Sequence, residues 1–390
     1  MSLANDLQLL HTDMQSWRQH LHQFPETAYE ETLTAKFIAE KLISFGLEIH
    51  QGLGTTGVVA TLSEGKSDKK IALRADMDAL FIQERNTFAH KSCHEGKMHA
   101  CGHDGHSAML LGAASYLSRH PNFDGTVYFI FQPAEEGRAG AKQMIEDGLF
   151  EKFPADCVFG MHNFPDIPTG HFAVKAGAMM ASFDCFEIVL TGQATHAAMP
   201  HLGCDAIVAA AQVINALQTI VSRTVNPADS AVVSITQIHA GNTWNAIPES
   251  VVLRGTFRCF SGAVQTMIGD KIKQLVEGVC AGFTVSTTIC FNPENAGYPV
   301  TYNTEAETAM ALKAASAVVG EACINQQPTP SMGSEDFAFM LQEKPGCYIW
   351  IGNGSSENSC LLHNPHYDFN DAILPVGAAY WVKLVEMMLP

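Results

Sequence analysis

The residues with the clearest chemical potential lie between Met98 and His106. Cys101 and His103 stand two positions apart on a glycine-containing stretch that precedes an apolar, helix-like segment. In an extended segment, side chains at positions i and i+2 point to the same side, so a thiolate and an imidazole can meet on one ion. A bound cation would keep the Cys101 thiol deprotonated. A histidine-rich loop with a buried thiol is the alternative interpretation.

Two adjacent carboxylates, Glu135 and Glu136, follow the apolar run Gly125 to Gln132. If that run is a buried strand, both acids lie at its carboxyl end, where open α/β sheets bind their ligands. Because neighbouring side chains diverge, one carboxylate could hold a metal while the other faces a bound water as general base. An exposed glutamate pair at a helix start, favoured by the helix dipole, explains the same pattern.

Two single histidines occupy comparable places, His162 at the end of an apolar run and His363 in a late loop. Each alone is more often structural than ligating. Taken together, one thiolate, three imidazoles and a carboxylate at the strand ends of one sheet form a ligand set suited to two borderline divalent ions. Asp76 and Asp78, at the end of a further strand, could orient those ligands or hold the base.

Alternating strands and helices in the first part of the chain must position these residues. Several of the predicted strands are wholly apolar, which indicates a sheet covered on both faces by helices. The predicted strands are Gly57 to Leu62, Lys70 to Ala75, Gly125 to Gln132 and Asp156 to Met161. The predicted helices are Asn5 to Gln23, Thr32 to Phe45 and His103 to His120.

The pattern changes between about Met180 and Asn292, where the order β-α-β-β-α-β predicts a ferredoxin-like unit. We therefore expect a second domain, residues 180–296, inserted into a discontinuous first domain of residues 1–179 and 297–390. The elements predicted in the insert are Phe183 to Thr191, Asp205 to Arg223, Ser230 to His239, Ser250 to Cys259, Ala263 to Ala281 and a strand to Phe291. Those predicted after it are Thr304 to Val319, Ser334 to Leu341, Tyr348 to Gly352 and Asp371 to Met388.

Five motifs in this order resemble the aminoacylase/carboxypeptidase family of two-metal peptidases, peptidase family M20. The resemblance spans essentially the whole chain and is strongest to the amidohydrolase branch, which holds hippurate hydrolases, N-acyl amino acid deacylases and auxin-conjugate hydrolases. It implies an α/β catalytic domain of the zinc-exopeptidase (phosphorylase/hydrolase-like) type with an inserted ferredoxin-like α+β lid. The motifs are Arg74–Leu80, His99–Asp104, Gln132–Glu136, Met161–His162 and His363–Pro365.

The resemblance also implies roles for single residues of the first domain. Cys101 is the expected bridging ligand, and Glu135 is the expected catalytic base. The broader family has His-x-Asp where this chain has Arg74-Ala-Asp76, so the usual metal histidine is absent there and Asp76 takes a supporting catalytic role. The other expected metal ligands are His103, Glu136, His162 and His363.

Further site residues are implied in and beside the lid. His196 resembles the histidine that reaches the partner subunit's active site, where an imidazole could hydrogen-bond an oxyanion. Asn245 is expected to border the site, and Arg258 to grip the substrate carboxylate, because its guanidinium fits a carboxylate bidentately. Gly333 and Ser334 are expected to line the substrate pocket, although a serine cap opening a helix explains that segment too.

Composition limits the class of protein and its partners. With 390 residues, 47% hydrophobic and 16% charged, the chain suits a well-packed globular enzyme. A formal charge of −17 and no Lys/Arg-rich stripe argue against nucleic acid and anionic membranes as partners. Eleven scattered cysteines without a Cys-x-x-Cys pair favour a reducing cytoplasm. No secretory signal is expected in Met1 to Asp13, and no transmembrane helix, because no apolar run reaches about 18 residues.

The sequence and the resemblance together predict a cytoplasmic enzyme that hydrolyses small N-acyl-L-amino acids with two divalent ions, and the resemblance alone implies a homodimer joined through the lid. The thiolate favours zinc, and manganese, cobalt and nickel are the alternatives. A metallo-aminopeptidase or dipeptidase on the same scaffold stays open as the second function. A metal-binding protein without activity is disfavoured, because it would not need the non-ligating Glu135.

Overall fold

The chain folds into two compact units, each with its own sheet and hydrophobic core. The structure is a computed structural model that describes residues 3–293, 297–354 and 360–390. The first unit comprises Met1–Met179, Tyr302–Thr329 and Asp336–Pro390, and the second comprises Met180–Thr301 and Pro330–Glu335.

The regular elements alternate along most of the chain. The helices are α1 (Leu3–Leu9), α2 (His11–Gln23), α3 (Thr32–Ser44), α4 (His103–Arg119), α5 (Glu135–Arg138), α6 (Gly140–Glu146), α7 (Leu149–Lys152), α8 (Ala206–Thr219), α9 (Gly262–Gly282), α10 (Glu305–Val319), α11 (Ala338–Glu343) and α12 (Leu374–Met388). The strands are β1 (Glu48–Leu53), β2 (Gly57–Glu64), β3 (Lys70–Asp76), β4 (Gly125–Gln132), β5 (Cys157–Pro165), β6 (Phe172–Ala173), β7 (Gly177–Met180), β8 (Asp184–Thr191), β9 (Thr195–His196), β10 (Ala231–Ala240), β11 (Ala246–Ile247), β12 (Ser250–Cys259), β13 (Ser286–Phe291), β14 (Thr301–Asn303), β15 (Ile324–Asn325) and β16 (Gly346–Gly354).

The first unit is built on an eight-stranded sheet in the order β1-β2-β4-β3-β5-β16-β6-β15. Strands β4, β3, β5 and β16 are parallel neighbours at its centre, with Ile71 opposite both Val127 and Cys157. These strands are buried along nearly their whole length, as expected for parallel strands covered on both faces. Their shared direction brings the carboxyl ends of β3, β4 and β5 to one edge of the sheet.

Helix α4 is the central helix of this unit and follows directly on the Cys101 motif. It packs against α2, α12 and β3. Nearly all of its residues are buried, including Met109, Leu110 and Leu111, because it is covered on several sides. Burial on several sides holds the first turn of this helix rigidly, and that turn begins at His103.

The second unit contains a four-stranded antiparallel sheet in the order β10-β12-β8-β13. With α8 and α9 the chain order is β8-α8-β10-β12-α9-β13, which is the ferredoxin-like arrangement that the sequence predicts. Strand β8 alternates buried and half-buried residues, and its inward side chains Phe186, Ile188 and Leu190 pack in the core of this unit. The sheet is therefore apolar on one face only.

The compact units depart from the predicted domain bounds in two places. Residues 297–301 belong to the second unit because Phe183 and Tyr298 exchange backbone hydrogen bonds of 2.9 and 2.6 Å. Pro330–Glu335 also belongs there, since the Ala181 N–H contacts the carbonyls of Ser331 and Gly333 at 3.0 Å.

Two predicted helices also differ from the structure. The predicted helix Asn5 to Gln23 is two helices that meet at Leu10. The predicted helix Ser334 to Leu341 begins only at Ala338, after the chain has passed from one unit to the other.

One helical stretch differs from the expectation that no segment could cross a membrane. Ala206–Thr224 has 19 residues and a mean hydropathy of 1.2, which is sufficient by length and composition. A third of it is buried, and its inward residues, among them Ala209, Val213 and Leu217, belong to the core of the second unit. A single helix of this kind is weak evidence for a membrane span, because core helices pass the same test.

The start of α8 generates a test of the second unit's stability. The Asp205 carboxylate accepts the N–H groups of Ile207 and Val208 at 2.9 and 3.2 Å. We expect Asp205→Ala to lower the free energy of unfolding by about 1 kcal/mol, measured as a lower urea midpoint at unchanged slope. Asp270→Ala, which removes an exposed acid within α9, is the matched control. Equal losses in the two variants would contradict a capping role for Asp205.

Candidate metal centre

The candidate centre lies where the carboxyl ends of β3, β4 and β5 meet in the first unit. Strand β3 ends at Asp76, and Glu135 follows β4 after two residues. His162 lies near the end of β5, whose neighbours in the sheet are β3 and β16. Open α/β sheets bind their ligands at this edge, so the order of the strands by itself gathers residues that are distant in sequence.

Five of the predicted residues bring donor atoms together here. The Cys101 Sγ lies 3.4 Å from Nε2 of His162. One oxygen of Glu136 lies 3.4 Å from Nε2 of His363 and 3.9 Å from Nε2 of His103. Ligand atoms of Cys101, Glu136 and His363 all lie within 4.8 Å of one another. The sulfur, nitrogen and oxygen atoms therefore surround a space of the size that metal ions occupy.

Gly102 allows the Cys101 motif to approach β5. Its φ is +95°, a conformation that favours glycine. A Cβ atom at this position would lie 2.1 Å from Oδ1 of Asn163, so no other residue fits without a shift. The glycine between Cys101 and His103 is thus a packing requirement of the centre.

The hydrogen bonds of the imidazoles direct one lone pair of each ring into the cluster. The Nδ1 of His103 contacts the Asp78 carbonyl at 2.9 Å and its carboxylate at 3.1 Å, and Nδ1 of His162 contacts the Asn163 carbonyl at 2.5 Å. Because carbonyl oxygens only accept, each Nδ1 is assigned as the donor, which leaves Nε2 as the site of the lone pair.

Two buried atoms of the cluster lack the partners that folded proteins normally provide. Nε2 of His103 makes no hydrogen bond within the described residues, and the near contacts of Oε1 of Glu136 are the imidazole nitrogens of His363 and His103, at 3.4 and 3.9 Å. Buried polar atoms are nearly always satisfied, so each exception calls for an explanation. A divalent cation would satisfy a nitrogen lone pair, a carboxylate and a thiolate together, and the donor set therefore fits a metal ion.

The pKa shifts in the cluster also indicate that it suits a bound cation. Burial raises the pKa of the Cys101 thiol well above its usual range, and the carboxylates of Glu136 and Glu135 raise it further. Burial would lower the pKa of His103, but Asp76 and Asp78 raise it to about 10. In the absence of a cation the centre thus retains protons, whereas a bound cation favours the thiolate and the neutral imidazole.

Glu135 lies beside this cluster on an irregular turn. Although α5 is formally helical, Glu136 has a ψ of 79° and Gly137 a φ of 75°, so successive side chains are not arranged as in a helix. One oxygen of Glu135 accepts the Asp336 N–H at 3.3 Å. Ligand atoms of His103, Glu135 and Glu136 lie within 4.8 Å of one another. Glu135 is thus close enough to meet a molecule bound at the centre.

Asp76 is not among the five predicted ligands, but its carboxylate lies within 4.8 Å of ligand atoms of His103, His106 and His162. Its oxygens contact Nδ1 of His106 at 2.6 Å and a guanidinium nitrogen of Arg74 at 2.8 Å, and Nε2 of His103 lies 3.7 Å away. Burial would raise the pKa of Asp76, but His103, His106 and Arg74 lower it well below its usual range. Asp76 is therefore an anion that holds His106 by a hydrogen bond, and its supporting catalytic role stays a prediction.

Arg74, which replaces the histidine of the broader family's motif, points into the interior. Its Nε donates to Gln132 at 2.7 Å, and a terminal nitrogen lies 3.1 Å from Asp336. The Asp336 carboxylate also accepts the Ala141 N–H at 2.9 Å. The buried cation thus links the end of β3 to the segment that follows Glu136.

The predicted residues His196 and Asn245 lie in the second unit, on a two-stranded ribbon. His196 pairs with Ala246, and the Ala197 N–H donates to the Asn245 carbonyl at 3.0 Å. The His196 ring is exposed, and its Nδ1 accepts the Ala198 N–H at 3.0 Å, so Nε2 is the nitrogen available to a ligand. The ribbon therefore brings His196 and Asn245 close together, although they are distant in sequence.

The remaining predicted residues cluster elsewhere in the second unit. Arg258 donates to the Met332 carbonyl at 3.0 Å and contacts the Ser334 hydroxyl at 3.4 Å. Its guanidinium lies 4.6 Å from the centre of the Phe183 ring. Gly333 is adjacent in sequence to both contacts of Arg258. The arginine is thus held in place at two sides.

A buried charge network behind the Cys101 motif was not predicted from the sequence. The Asp104 carboxylate contacts Nδ1 of His22 at 2.8 Å and the Arg18 guanidinium at 3.7 Å. Nε2 of His22 lies 3.1 Å from Glu84. The pattern Arg18-x-x-x-His22 on one face of a predicted helix was the available signal, but its partner lies 82 residues away. The network fixes the position of Asp104, the residue next to His103.

An α/β unit with thiolate, imidazole and carboxylate atoms at the carboxyl ends of its parallel strands has the architecture of a metal-binding hydrolase. The sequence profile of Peptidase family M20/M25/M40 matches residues 72–387. The chain belongs to this family. The family and the α/β fold class that the motifs predict are thereby confirmed.

Similar proteins cover the chain almost completely. A hippurate hydrolase of Campylobacter jejuni is 42% identical over 384 residues, 98% of each chain. An N-acetyl-L-cysteine deacetylase of Bacillus subtilis is 39% identical over 366 residues, 94% of this chain and 85% of the relative. A crystal structure of a Bacillus subtilis dinuclear metal binding peptidase from the M20 family has a TM-score of 0.84 and 34% identity, covering 98% of this chain and 99% of that one.

The His22 network generates a prediction about pH. Burial would lower the pKa of His22, but the carboxylates of Asp104 and Glu84 raise it from 6.5 to about 9. Because the folded-state pKa is the higher one, the stabilisation is complete below pH 6.5 and is lost as the pH rises to 9. The expected loss is on the order of 3 kcal/mol.

Urea unfolding at pH 6.5 and pH 9 measures this loss. In His22→Gln, which cannot ionise, the difference in stability between the two pH values should shrink. His120→Gln, at an exposed position, should behave as the unaltered protein does. An undiminished difference in His22→Gln would mean that other groups produce the pH dependence.

Proposed function

We propose that this protein is an amidohydrolase that uses two divalent metal ions to cleave N-acyl-L-amino acids into a carboxylate and a free amino acid. The arrangement of Glu135 beside the cluster of Cys101, His103 and Glu136 carries the proposal, because it sets a carboxyl group that could serve as the base next to a candidate metal site. The names of the relatives support it, since both are hydrolases or deacetylases of N-acylated amino acids.

Five side chains would hold the ions. Cys101 would bridge them, because a thiolate sulfur has lone pairs for two metals. The Nε2 atoms of the three histidines and the carboxylate of Glu136 would complete the ligand set, and the sulfur favours zinc over manganese, cobalt or nickel. Ions bound there would polarise the scissile carbonyl and lower the pKa of an attacking water. The expected ligands are Cys101, His103, Glu136, His162 and His363.

The chain's own residues would perform the proton transfers. Glu135 would accept a proton from the attacking water and deliver it to the nitrogen of the leaving amino acid. His196 would donate a hydrogen bond from Nε2 to the oxyanion that forms on the former carbonyl oxygen. Asp76 would act indirectly, by holding His106 in place beside the ligands.

The substrate's carboxylate calls for a cation and hydrogen-bond donors. Arg258 would bind this group, since its guanidinium is already fixed over Phe183 and beside Ser334. Asn245 would supply an amide donor, while Gly333 and Ser334 would line the wall of the pocket. These four residues would thus favour N-acyl-amino acids over simple amides.

A second copy of the chain would bind through the second unit. Strand β10 is an edge strand of ten residues, and edge strands expose unpaired backbone groups. Its Ile238 is 58% exposed, and Ile207 and Val208 on α8 are each nearly half exposed. Pairing along this edge would bury these apolar side chains, and the family resemblance implies that His196 then serves the other subunit's centre.

A metallo-aminopeptidase or dipeptidase is the second candidate function. The related Bacillus subtilis structure is described as a peptidase, which favours it. An aminopeptidase or dipeptidase must recognise the free amino group of its substrate. An amidohydrolase must instead accept an uncharged acyl group at that position. Competition between free dipeptides and N-acetyl- or N-benzoyl-amino acids therefore separates the two functions.

Hydrolysis of a panel of these compounds, before and after chelation and metal return, tests the proposal. We expect turnover of N-acyl-amino acids that disappears with chelator and returns with zinc, manganese or cobalt. Glu135→Gln should lower kcat by about 10²–10⁴-fold with metal content retained. Glu136→Gln, its neighbour, should instead lose metal. Full turnover by Glu135→Gln with metal bound would contradict the assigned role of Glu135.

Mixed dimers test whether His196 acts across subunits. His196→Ala and Glu135→Gln should each be nearly inactive as pure proteins. If His196 serves the partner's centre, random mixing should restore about a quarter of the unaltered activity, since half the dimers are mixed and each has one complete site. Activity is measured against the mixing ratio after co-expression. Mixtures that stay inactive, with mixed dimers shown to form, would place His196 in its own subunit's site.

A further inference from the structure

The turn that carries Glu135 and Glu136 has an unfavourable backbone conformation. Ala134 and Ala139, which flank it, have φ values of 56° and 54°, and Gly137 between them has 75°. Residues with a Cβ rarely adopt this left-handed conformation, because it brings the Cβ close to the backbone. Such a conformation persists only where surrounding contacts hold it.

Two carboxylates hold this turn by its backbone. Oε1 of Glu31 accepts the Ala134 N–H at 2.9 Å, and Oδ2 of Asp78 accepts the Glu136 N–H at 2.9 Å. The Ala134 carbonyl accepts the Gly140 N–H at 3.0 Å, so both backbone polar groups of Ala134 are engaged. The backbone on each side of Glu135 is therefore fixed by a separate carboxyl group.

The position of the Glu31 side chain is fixed by burial and by hydrogen bonds. It is completely buried, and its second oxygen accepts the Thr56 hydroxyl at 2.7 Å. Its backbone carbonyl accepts the Ala35 N–H at 2.9 Å, at the start of α3. Burying a carboxyl group costs free energy, and burial together with the nearby Asp78 raises the pKa of Glu31 from 4.5 to about 7. Both oxygens of this buried group accept hydrogen bonds, which an apolar side chain could not do. We therefore infer that the group has a specific structural role.

We propose that Glu31 is a positioning residue that locks Ala134 in its left-handed conformation and thereby aims Glu135 at the metal centre. The inference rests on the proposed function only for the identity of the reaction. The hydrogen bond from Ala134 and the backbone conformation of the turn carry the positioning claim. Glu31 touches none of the reacting groups and acts through the backbone of the turn.

Three variants test this role. Glu31→Ala removes the acceptor, whereas Glu31→Gln keeps an oxygen for the Ala134 N–H and a polar group for Thr56. Glu26→Ala is the matched control, because Glu26 belongs to the same segment and its carboxylate accepts the Thr34 N–H at 2.8 Å, away from the turn. All three variants are compared with the unaltered, metal-loaded dimer.

The first readout is the kinetics of hydrolysis of an N-acyl-amino acid. Glu31→Ala should lower kcat by about tenfold or more with KM changed less than about threefold, because the base is misaimed while substrate contacts persist. Glu31→Gln should restore most of kcat, and Glu26→Ala should retain it. Equal losses in Glu31→Ala and Glu26→Ala, or no rescue by Glu31→Gln, would overturn the proposal.

The second readout does not depend on activity. Amide hydrogen exchange of the peptide containing residues 133–140 in the metal-free protein should be faster by about tenfold in Glu31→Ala and unchanged in Glu26→Ala. If the unaltered protein cleaves no N-acyl-amino acid, the proposed function fails while this exchange result still decides the role of Glu31. Unchanged exchange in Glu31→Ala would contradict the lock whatever the reaction.

Discussion

A buried group of lone pairs that face one another is the constraint on which the rest of the first unit depends. Nε2 of His103 and Oε1 of Glu136 lie 3.9 Å apart without a hydrogen bond, and the Cys101 sulfur and two further imidazoles lie beside them. Such atoms repel one another or hold protons unless a cation lies between them. The protein therefore carries a cost in its metal-free state, and binding of a cation would recover it.

Much of the surrounding structure can be understood as a response to that cost. Several anions and imidazoles of the centre have a fixed partner behind them. Asp78 holds His103, and Arg74 holds Asp76. Farther out, Arg18 and His22 neutralise Asp104 at the start of α4. These buried ion pairs orient the donors, and removal of a partner would weaken the compensation of a buried charge.

Local sequence patterns predicted the strands and helices that carry the site residues. Strand β4 has the bounds predicted for it, since a continuous apolar run flanked by glycine and proline identifies a buried strand well. The ferredoxin-like order of the second unit followed from the alternation of its strands and helices. The roles of the five ligands and of Glu135 came from the family resemblance and stay predictions, although the structure brings their atoms together.

Contacts between segments that are distant in sequence could not be predicted from local patterns. Glu31 and Glu30 are adjacent acids at a helix start, yet one is fully buried against Ala134, 103 residues away, and the other is exposed. The boundary at Pro330–Glu335 depends on backbone contacts with Ala181, and no property of the segment itself indicates it. Hydrogen bonds between segments that are distant in sequence leave no periodic signal.

The most direct test of the central claim is X-ray diffraction from crystals of the metal-loaded protein, with anomalous data collected at the absorption edge of the metal. The account predicts two anomalous peaks about 3.5–4 Å apart. The Cys101 sulfur should lie between them, and Nε2 of His103 and of His162 should lie within about 2.0–2.1 Å of a zinc ion. A single peak, peaks away from Cys101, or no bound metal under conditions that support turnover would contradict it.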